Sequence, residues 1–243
     1  MRKLTITFLT IVFCLTPSIA FSKTVKPDDL VVRDGIIYKK FTNKPYSGSV
    51  EGEDKDGDFA KGDIKNGNRN GSWEWYHKNG QLKKIGTYKD GKREGVWKEY
   101  HDNGQLEFKG TYRNGKREGL WKDYYENGQL RKKTTYKDGG KDGVWEYYHE
   151  NGELYSKGTY KNGKAEGVWE FYHDNGQLRV RVPYRNGKEE GVEETYHKNG
   201  QLSYKGTYKD GKAEGLWEIY DKNGQIERRI TYKDDKLIKE EKF

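Results

Sequence analysis

Aromatic and glycine positions recur along the chain with a period of 24 residues. A Trp stands three positions before six of the repeat tyrosines, and a Gly stands five positions before each of them, so the register holds over seven consecutive copies. The repeat tyrosines are Tyr76, Tyr100, Tyr124, Tyr148, Tyr172, Tyr196 and Tyr220. A fixed period over many copies indicates a repeat architecture, in which each unit packs on its neighbours.

Each copy contains two short turn signals. One is the Asn-Gly pair after the tyrosine, as at Asn103, and the other is an Asn-Gly or Asp-Gly pair later in the copy, as at Asn114. Such pairs typically form the type I′ turn of a β-hairpin, which needs positive φ at both residues. Two turns per copy predict two strands per copy. The predicted fold class is therefore all-β: an elongated, single-sheet antiparallel meander of stacked 24-residue hairpins.

The turn at Asn103 predicts the pairing within one copy, if Asn103 and Gly104 are its central residues. The predicted pairs are His101 with Leu106, Glu99 with Phe108, Trp97 with Gly110, and Gly95 with Tyr112. A ring over a strand glycine covers exposed backbone without a clash, so we expect the Trp to cover the glycine opposite it. Trp97 then shares a face with Leu106, and Tyr100 lies on the other face, unless a bulge brings both rings together.

The sixth copy departs from this pattern. Glu193 stands where the other copies have Trp. Because a carboxylate does not cover backbone as an indole does, we expect Gly206 to be uncovered and this copy to be the weakest of the seven.

The remaining segments divide around the repeats. Residues 1–20 have a basic start, an apolar middle and small residues at 18–20, which indicates a secretory signal, with an uncleaved anchor as the alternative. We further predict an N-terminal cap over 21–45, a degenerate repeat over 46–70, the seven repeats over 71–238, and a charged tail over 239–243. The expected location is thus periplasmic or extracellular.

Charge and cysteine content narrow the classes of partner. The net charge is +8, from 47 Lys and Arg against 39 Asp and Glu. In an exported protein this favours an anionic lipid, an anionic glycan or an acidic protein, and makes nucleic acid a poor candidate. The one cysteine, Cys14, lies inside the predicted signal, so we expect no disulfide and no thiolate metal site in the mature chain.

Several phrases resemble the variant MORN repeat, whose bacterial members are often labelled YwqK-type antitoxins. They are WEFYHDNGQL, KGTYKNGKAEG and the entry segment FTNKPYSG. The resemblance implies an elongated, twisted array of β-hairpins that acts as a scaffold and in some cases associates with membranes. The resemblance also implies an antitoxin role.

The recurring histidines and carboxylates do not make a reaction centre. Imidazoles of successive copies lie about 10 Å apart at ~4.8 Å per strand, which is too far to share one ion. Carboxylates such as Glu94 recur in equivalent, solvent-facing surroundings, where none is singled out as an acid or base. No Ser/His/Asp or Cys/His arrangement can be drawn. We therefore predict that the protein is not an enzyme and needs no cofactor or metal.

The aromatic and lysine rows are the candidate binding surface. The rings can be simply the core of a thin sheet, but one layer cannot bury both faces, so some rings stay accessible for sugars or for apolar groups of a partner. The candidate residues are Tyr100, Tyr148, Tyr172 and Tyr196, with Lys137, Lys161 and Lys209 after the second-strand tyrosines. The first hypothesis is a non-enzymatic exported scaffold that binds a protein partner, including a neutralising binder of the antitoxin type. The alternative is an envelope-binding module for anionic lipid or cell-wall glycan.

Overall fold

The computed structural model describes residues 24–54 and 57–243. The predicted signal at 1–20, with Cys14, lies outside these residues. The described part contains one short 3-10 turn, Pro27–Asp29, and twenty strands. No helix in this part is long and apolar enough to cross a membrane.

The strands follow the 24-residue period. Two of them, β1 (Leu30–Arg33) and β2 (Ile36–Lys39), pair only with each other. The main sheet consists of β3 (Gly48–Glu53), β4 (Phe59–Lys65), β5 (Asn68–Tyr76), β6 (Leu82–Lys89), β7 (Lys92–Tyr100), β8 (Leu106–Arg113), β9 (Lys116–Tyr124), β10 (Leu130–Lys137), β11 (Gly140–Tyr148), β12 (Leu154–Lys161), β13 (Lys164–Tyr172), β14 (Leu178–Arg185), β15 (Lys188–Glu189), β16 (Gly191–Tyr196), β17 (Leu202–Lys209), β18 (Lys212–Tyr220), β19 (Ile226–Lys233) and β20 (Lys236–Lys242).

Strand order in the main sheet follows the chain. Each strand from β3 to β20 pairs antiparallel with the next, and β15 and β16 share one place because both pair with β14. No pairing among the described residues joins β3 to β20, so the sheet is open. The predicted all-β fold, a single antiparallel meander of hairpins, is confirmed.

The first edge of this sheet is covered by the N-terminal segment. Val25 donates its backbone N–H to the carbonyl of Ser49 (3.1 Å) and accepts from the N–H of Glu51 (3.0 Å). Ile37 of β2 donates to the carbonyl of Gly67 (2.9 Å). Strand edges with unpaired backbone groups invite pairing with other chains, and the two Val25 bonds cover part of this edge, whereas the Ile37 bond ties β2 to the turn between β4 and β5.

The two turns of each repeat have different geometries. Asp90 and Gly91 have φ of 48° and 77°, the type I′ geometry that the sequence predicted. At the other turn Gly104 has φ of 82°, whereas Asn103 has negative φ, and the His101 N–H donates to the Gln105 carbonyl (2.8 Å). The prediction of a type I′ turn at Asn103 is therefore wrong, and the connection is a longer loop.

The asparagine in this loop is favoured for its side chain. Oδ1 of Asn103 accepts from the backbone N–H of Gln105 (2.9 Å), and Nδ2 donates to the carbonyl of Glu126 in the next repeat (2.9 Å). Asn and Asp commonly bond to backbone two residues ahead in turns. The same dipeptide thus serves two turn types.

The predicted register of β7 and β8 is confirmed over its central part and wrong at the loop. Tyr100, rather than His101, pairs with Leu106, because Glu107 is an extra residue of β8. Leu106 consequently shares the face of Tyr100 and not that of Trp97. The extra residue lies on the partner strand, so Trp97 and Tyr100 stay on opposite faces.

Each glycine-packed Trp covers a glycine of the preceding hairpin. A Cβ added to Gly86 would lie 2.2 Å from the Trp97 ring. Gly95 has φ of 70° and belongs to a bulge in which residues 95–97 lie opposite Gly86, and this bulge turns the indole toward it. Trp97 does pair with Gly110, as predicted, but the ring that covers Gly110 is that of Trp121.

Two positions of the glycine row carry branched aliphatic side chains, and both lack the indole. Val182 is buried, and Glu193 stands at the position that would cover it. The second residue, Ile230, pairs with Glu240 of β20, so no indole covers it either. A branched side chain fills the space that the ring occupies elsewhere, so the two residues of a pair change together.

The expected gap at Gly206 is wrong, because the Trp217 ring covers this glycine. Thr134 is a third exception in the glycine row and is fully buried. Trp145 pairs with it but is only half-buried and stacks on Tyr147 at 6.1 Å. A glycine is thus needed for an indole to pack fully onto the preceding strand.

Candidate binding surface

The two faces of the main sheet differ in chemistry. The indole face carries the tryptophans and the second-strand tyrosines: Trp73, Trp97, Trp121, Trp145, Trp169, Trp217, Tyr88, Tyr112, Tyr136, Tyr160, Tyr184, Tyr208 and Tyr232. The phenol face carries the repeat tyrosines, from Tyr76 to Tyr220. Successive side chains of a strand point to opposite faces, and the bulges described above keep these rows apart.

On the indole face the rings form the core. The Arg93 guanidinium lies 4.6 Å from the Trp97 ring centre and 5.1 Å from that of Tyr112, and it donates to the Tyr112 hydroxyl (2.7 Å). The Trp97 N–H donates to the Thr87 carbonyl (3.2 Å). Arg117 repeats this arrangement one copy later. Because these rings are buried, they offer little surface to a ligand.

Four of the five loop histidines link neighbouring hairpins, whereas Nε2 of His149 is buried without a partner in the described part of the chain. Nε2 of His101 donates to the Tyr124 carbonyl (3.2 Å), and His173 contacts the Tyr196 carbonyl in the same way (2.8 Å). Each bond links one repeat to the next. Among residues 24–54 and 57–243, no group of three or more His, Cys, Asp and Glu side chains could hold a metal ion.

The carboxylates before the repeat glycine hold the type I′ turns. Oε2 of Glu94 accepts from the backbone N–H of Asn114 in the next turn (2.8 Å), and Glu166 accepts from Asn186 (2.9 Å). Glu118, Glu190 and Glu214 make the equivalent bond. This row is therefore part of the turn architecture.

Three of the four predicted tyrosines on the phenol face are held by carboxylates. The hydroxyls of Tyr148, Tyr172 and Tyr196 donate to glutamates two residues earlier, at 2.6, 2.8 and 3.0 Å. Burial, together with the bond to Glu146, raises the pKa of Tyr148 to about 12. Tyr100 differs, because Lys98 stands two residues before it.

The predicted lysines lie away from these tyrosines. Lys137, Lys161 and Lys209 are exposed and sit at the ends of β10, β12 and β17, beside the type I′ turns. The tyrosine row lies at the loop end. Lys161 is seven residues from Leu154, the partner of Tyr148, which is about 24 Å at ~3.4 Å per residue. The structure does not bring the two rows together.

Between them runs a row of residues, all charged except Ile85, that sequence reasoning missed. It crosses the phenol face with one residue per strand, each paired in register with the next, and we call it the charge ladder. Its members are Lys61, Glu74, Ile85, Lys98, Lys109, Lys122, Lys133, Glu146, Lys157, Glu170, Arg181, Glu194, Lys205, Glu218, Arg229 and Glu241.

From Lys133 onward the charges of the ladder alternate. Lys157 lies 2.8 Å from Glu170, and Arg181 lies 3.1 Å from the same carboxylate. The hydrogen bond from Lys157 is the main reason that the pKa of Glu170 falls to about 2. Directly opposed unlike charges stabilise neighbouring strands. The alternation fails in the early repeats, where Ile85 carries no charge and Lys98, Lys109 and Lys122 adjoin Lys133.

A row of exposed aliphatic side chains also crosses the phenol face. Each stands next to the indole position, and each is between 41% and 53% exposed. The row consists of Val96, Leu120, Val144, Val168, Val192 and Leu216. Their recurrence before the Trp position was visible in the sequence, but only the sheet shows that they point to solvent.

The period, the register and the two faces define a hairpin-repeat protein with one packed face and one accessible face. The MORN repeat variant pattern matches residues 69–90, 93–114, 117–138, 141–162, 165–186, 189–210 and 213–234. The chain belongs to this family. The resemblance noted from the sequence is confirmed, and the family supports a repeat scaffold.

Other comparisons add little. No curated protein matches the chain. A crystal structure of TcdB2–TccC3–Cdc42 is similar with a TM-score of 0.21 and 13% identity, over 85% of this chain and 15% of that one. A porin-like protein from Bacteroides uniformis is similar with a TM-score of 0.19 and 9% identity, over 79% of this chain and 91% of that one. The fold assignment rests on the family match and the strand register.

Proposed function

We propose that this protein is a non-enzymatic, exported repeat scaffold that binds a protein partner across its phenol face. The observation that carries the proposal is the exposed aliphatic row, whose members are each at least 41% exposed on six hairpins. Apolar side chains repeated in one line on a charged surface are typical of an interaction site.

The geometry of the row suits an extended partner. Six members on alternate strands span about 48 Å at ~4.8 Å per strand. The alternating part of the charge ladder runs beside them and supplies a polar border, as the rim of an interface does. Equivalent contacts on successive hairpins add modestly to affinity, so binding grows with the number of repeats engaged. A neutralising binder of the antitoxin type is one form of this function.

The proposal is tested by changing three members of the row at once. V144T/V168T/V192T keeps the β-branched shape and removes apolar surface, whereas V144I/V168I/V192I keeps the apolar character. A partner captured by the wild-type protein and identified by mass spectrometry is then titrated against both variants. Circular dichroism checks that each variant is folded.

We expect the threonine variant to lose most of its affinity and the isoleucine variant to keep it. Equal affinity of all three proteins for the partner would show that the aliphatic row is not the contact surface. A purified protein with enzymatic turnover would contradict the scaffold function itself.

A further inference from the structure

Four lysines occupy adjacent strands in the early part of the charge ladder. Lys98 pairs with Lys109, Lys109 with Lys122, and Lys122 with Lys133. We call these four residues the lysine strip. It crosses β7 to β10 and extends about 14 Å at ~4.8 Å per strand.

The strip lacks the counter-charges found elsewhere in the ladder. Glu146 reaches Lys133 at 3.1 Å, but within the described part of the chain no carboxylate forms a salt bridge with Lys98, Lys109 or Lys122. Like charges directly opposite each other on neighbouring strands are destabilising. The later repeats carry Glu at the positions equivalent to Lys98 and Lys122, so the fold does not require lysine there.

The same lysines also release two tyrosine hydroxyls. In five repeats the phenol donates to the glutamate two residues earlier, as Tyr172 does to Glu170 (2.8 Å). Tyr100 and Tyr124 follow Lys98 and Lys122 instead, and their hydroxyls make no hydrogen bond to any described residue. Lys98, Lys109, Lys122 and these two phenols therefore present hydrogen-bond donors that lack protein acceptors, whereas Lys133 is paired with Glu146.

The support beneath the strip is rigid. On the indole face of the same strands, Trp97 is completely buried and Trp121 is 3% exposed. Arg93 and Arg117 stack on these rings. Binding groups held on packed strands lose little conformational freedom when a ligand binds.

We propose that the lysine strip binds the anionic groups of a linear polysaccharide. Ammonium groups in a line match carboxylate, phosphate or sulfate groups along a chain. The adjacent phenols supply neutral donors and ring surface for the sugar units. The strip lies beside Val96 and Leu120 of the aliphatic row, but this proposal does not depend on the proposed protein-binding function.

A chain fits the strip better than a flat anionic membrane does. The strip is one lysine wide, and in the ladder it is bordered by uncharged Ile85 at one end and by Glu146 at the other. Beyond Glu146 the phenol face carries a carboxylate at every second strand. A planar anionic surface would meet these carboxylates, whereas one polymer chain can follow the lysines alone.

The test restores the alternation of the ladder. K98E/K122E copies the later repeats and gives the tyrosines their usual acceptors, so we expect it to fold and to melt at a higher temperature. The control K92E/K116E makes the same change in charge on the same strands at the turn end, where both lysines are exposed. Binding of a heparin octasaccharide is measured by calorimetry at several salt concentrations.

We expect K98E/K122E to weaken octasaccharide binding by about tenfold or more, through loss of charge-assisted contacts and repulsion. The control should change the affinity by no more than about threefold. The affinity of the wild type should depend more steeply on salt concentration than that of K98E/K122E. The variant V144T/V168T/V192T should bind the octasaccharide like the wild type, so failure of this site and failure of the protein-binding function are distinguishable.

Equal losses of octasaccharide affinity in the two charge variants, or no loss in either, would show that the lysine strip is not the binding site. Tighter binding to an oligothymidylate, or retention by phosphatidylglycerol vesicles but not by the octasaccharide, would overturn the polysaccharide assignment. If K98E/K122E fails to fold, K98Q/K122Q replaces it with the same expected direction. Unchanged binding by that folded variant also contradicts the site.

Discussion

The early repeats, β7 to β10, and the later repeats, β12 to β19, differ on both faces of one sheet. In the early region the phenol face carries the lysine strip, and the indole face carries Arg93 and Arg117 on the rings. In the later region the ladder alternates, and Ala165 and Ala213 stand at the arginine positions.

Hydrogen bonding of the core tryptophans also differs between the two regions. The Trp97 and Trp121 N–H groups both donate to backbone carbonyls (3.2 Å), whereas those of Trp169 and Trp217 are buried without a partner. The early region, which has unfavourable like charges on its phenol face, thus has the core in which the indole N–H groups are hydrogen-bonded. This arrangement is expected where a binding site is retained at the expense of local stability and the core offsets it.

The largest predicted effect contrasts two tryptophans. W97A should lower the free energy of unfolding by about 3–5 kcal/mol, because a completely buried indole is lost. W145A should lower it by roughly half as much, since Trp145 is only half-buried. Urea unfolding followed by circular dichroism compares them. Equal losses would mean that the two regions are packed alike.

The next prediction concerns the glycine row. G86V should lower stability by about 2 kcal/mol, because its side chain overlaps the Trp97 ring. G86V/W97E copies the natural pair Val182 and Glu193, so it should be less destabilised than the sum of the single changes. A double-mutant cycle measures the coupling. Simple additivity would show that the paired exceptions are unrelated.

The arginine stack predicts a smaller difference. R93A should lower stability by about 1 kcal/mol, through loss of the cation–π contacts and of the bond to the Tyr112 hydroxyl. A165R should raise it by a few tenths of a kcal/mol, since the new guanidinium can stack on Trp169. Thermal melts of both variants test whether arginine distinguishes the two regions. A lower melting temperature for A165R would refute this explanation.

The smallest effect is a dependence on pH in the later region. The pKa of Glu170 is lowered to about 2, so its ionised form stabilises the folded state above its ordinary pKa of 4.5. This contribution, about 1 kcal/mol at a partly solvated surface, is lost as the pH falls from about 5 to 2. E170Q should flatten the stability profile over that range. If the stability of the wild type and of E170Q changed with pH in parallel, Glu170 would not be the source of this dependence.

The hairpins followed from local residue patterns, but the loop register did not. Tyr, Trp and Gly recur at fixed spacing, and this was enough to predict two strands per copy. The Asn-Gly pair at Asn103 misled the prediction, because its Asn side chain bonds to the next repeat. Local propensity cannot reveal a bond whose partner is 23 residues away.

Prediction of the candidate surface depended on the strand register even more than prediction of the loops did. Tyr100 and Lys161 could be named from periodicity, yet their places at opposite ends of the strands required the sheet. The lysine strip combines residues from four strands, and no single copy of the repeat contains all of it. Cross-strand neighbours are set by tertiary pairing, which short-range sequence patterns encode only through the turns.

By itself the sequence determined the repeat length, the all-β class, the antiparallel order and the family, because each follows from short residue patterns that recur along the chain. The tertiary structure decided which glycine each indole covers, which tyrosine hydroxyls have acceptors, and which charges face each other. Bulges at Gly95 and Glu107 shift the pairing on either side of a strand by different amounts. Contacts across the strands therefore depend on geometry that the pattern of residues along one strand does not contain.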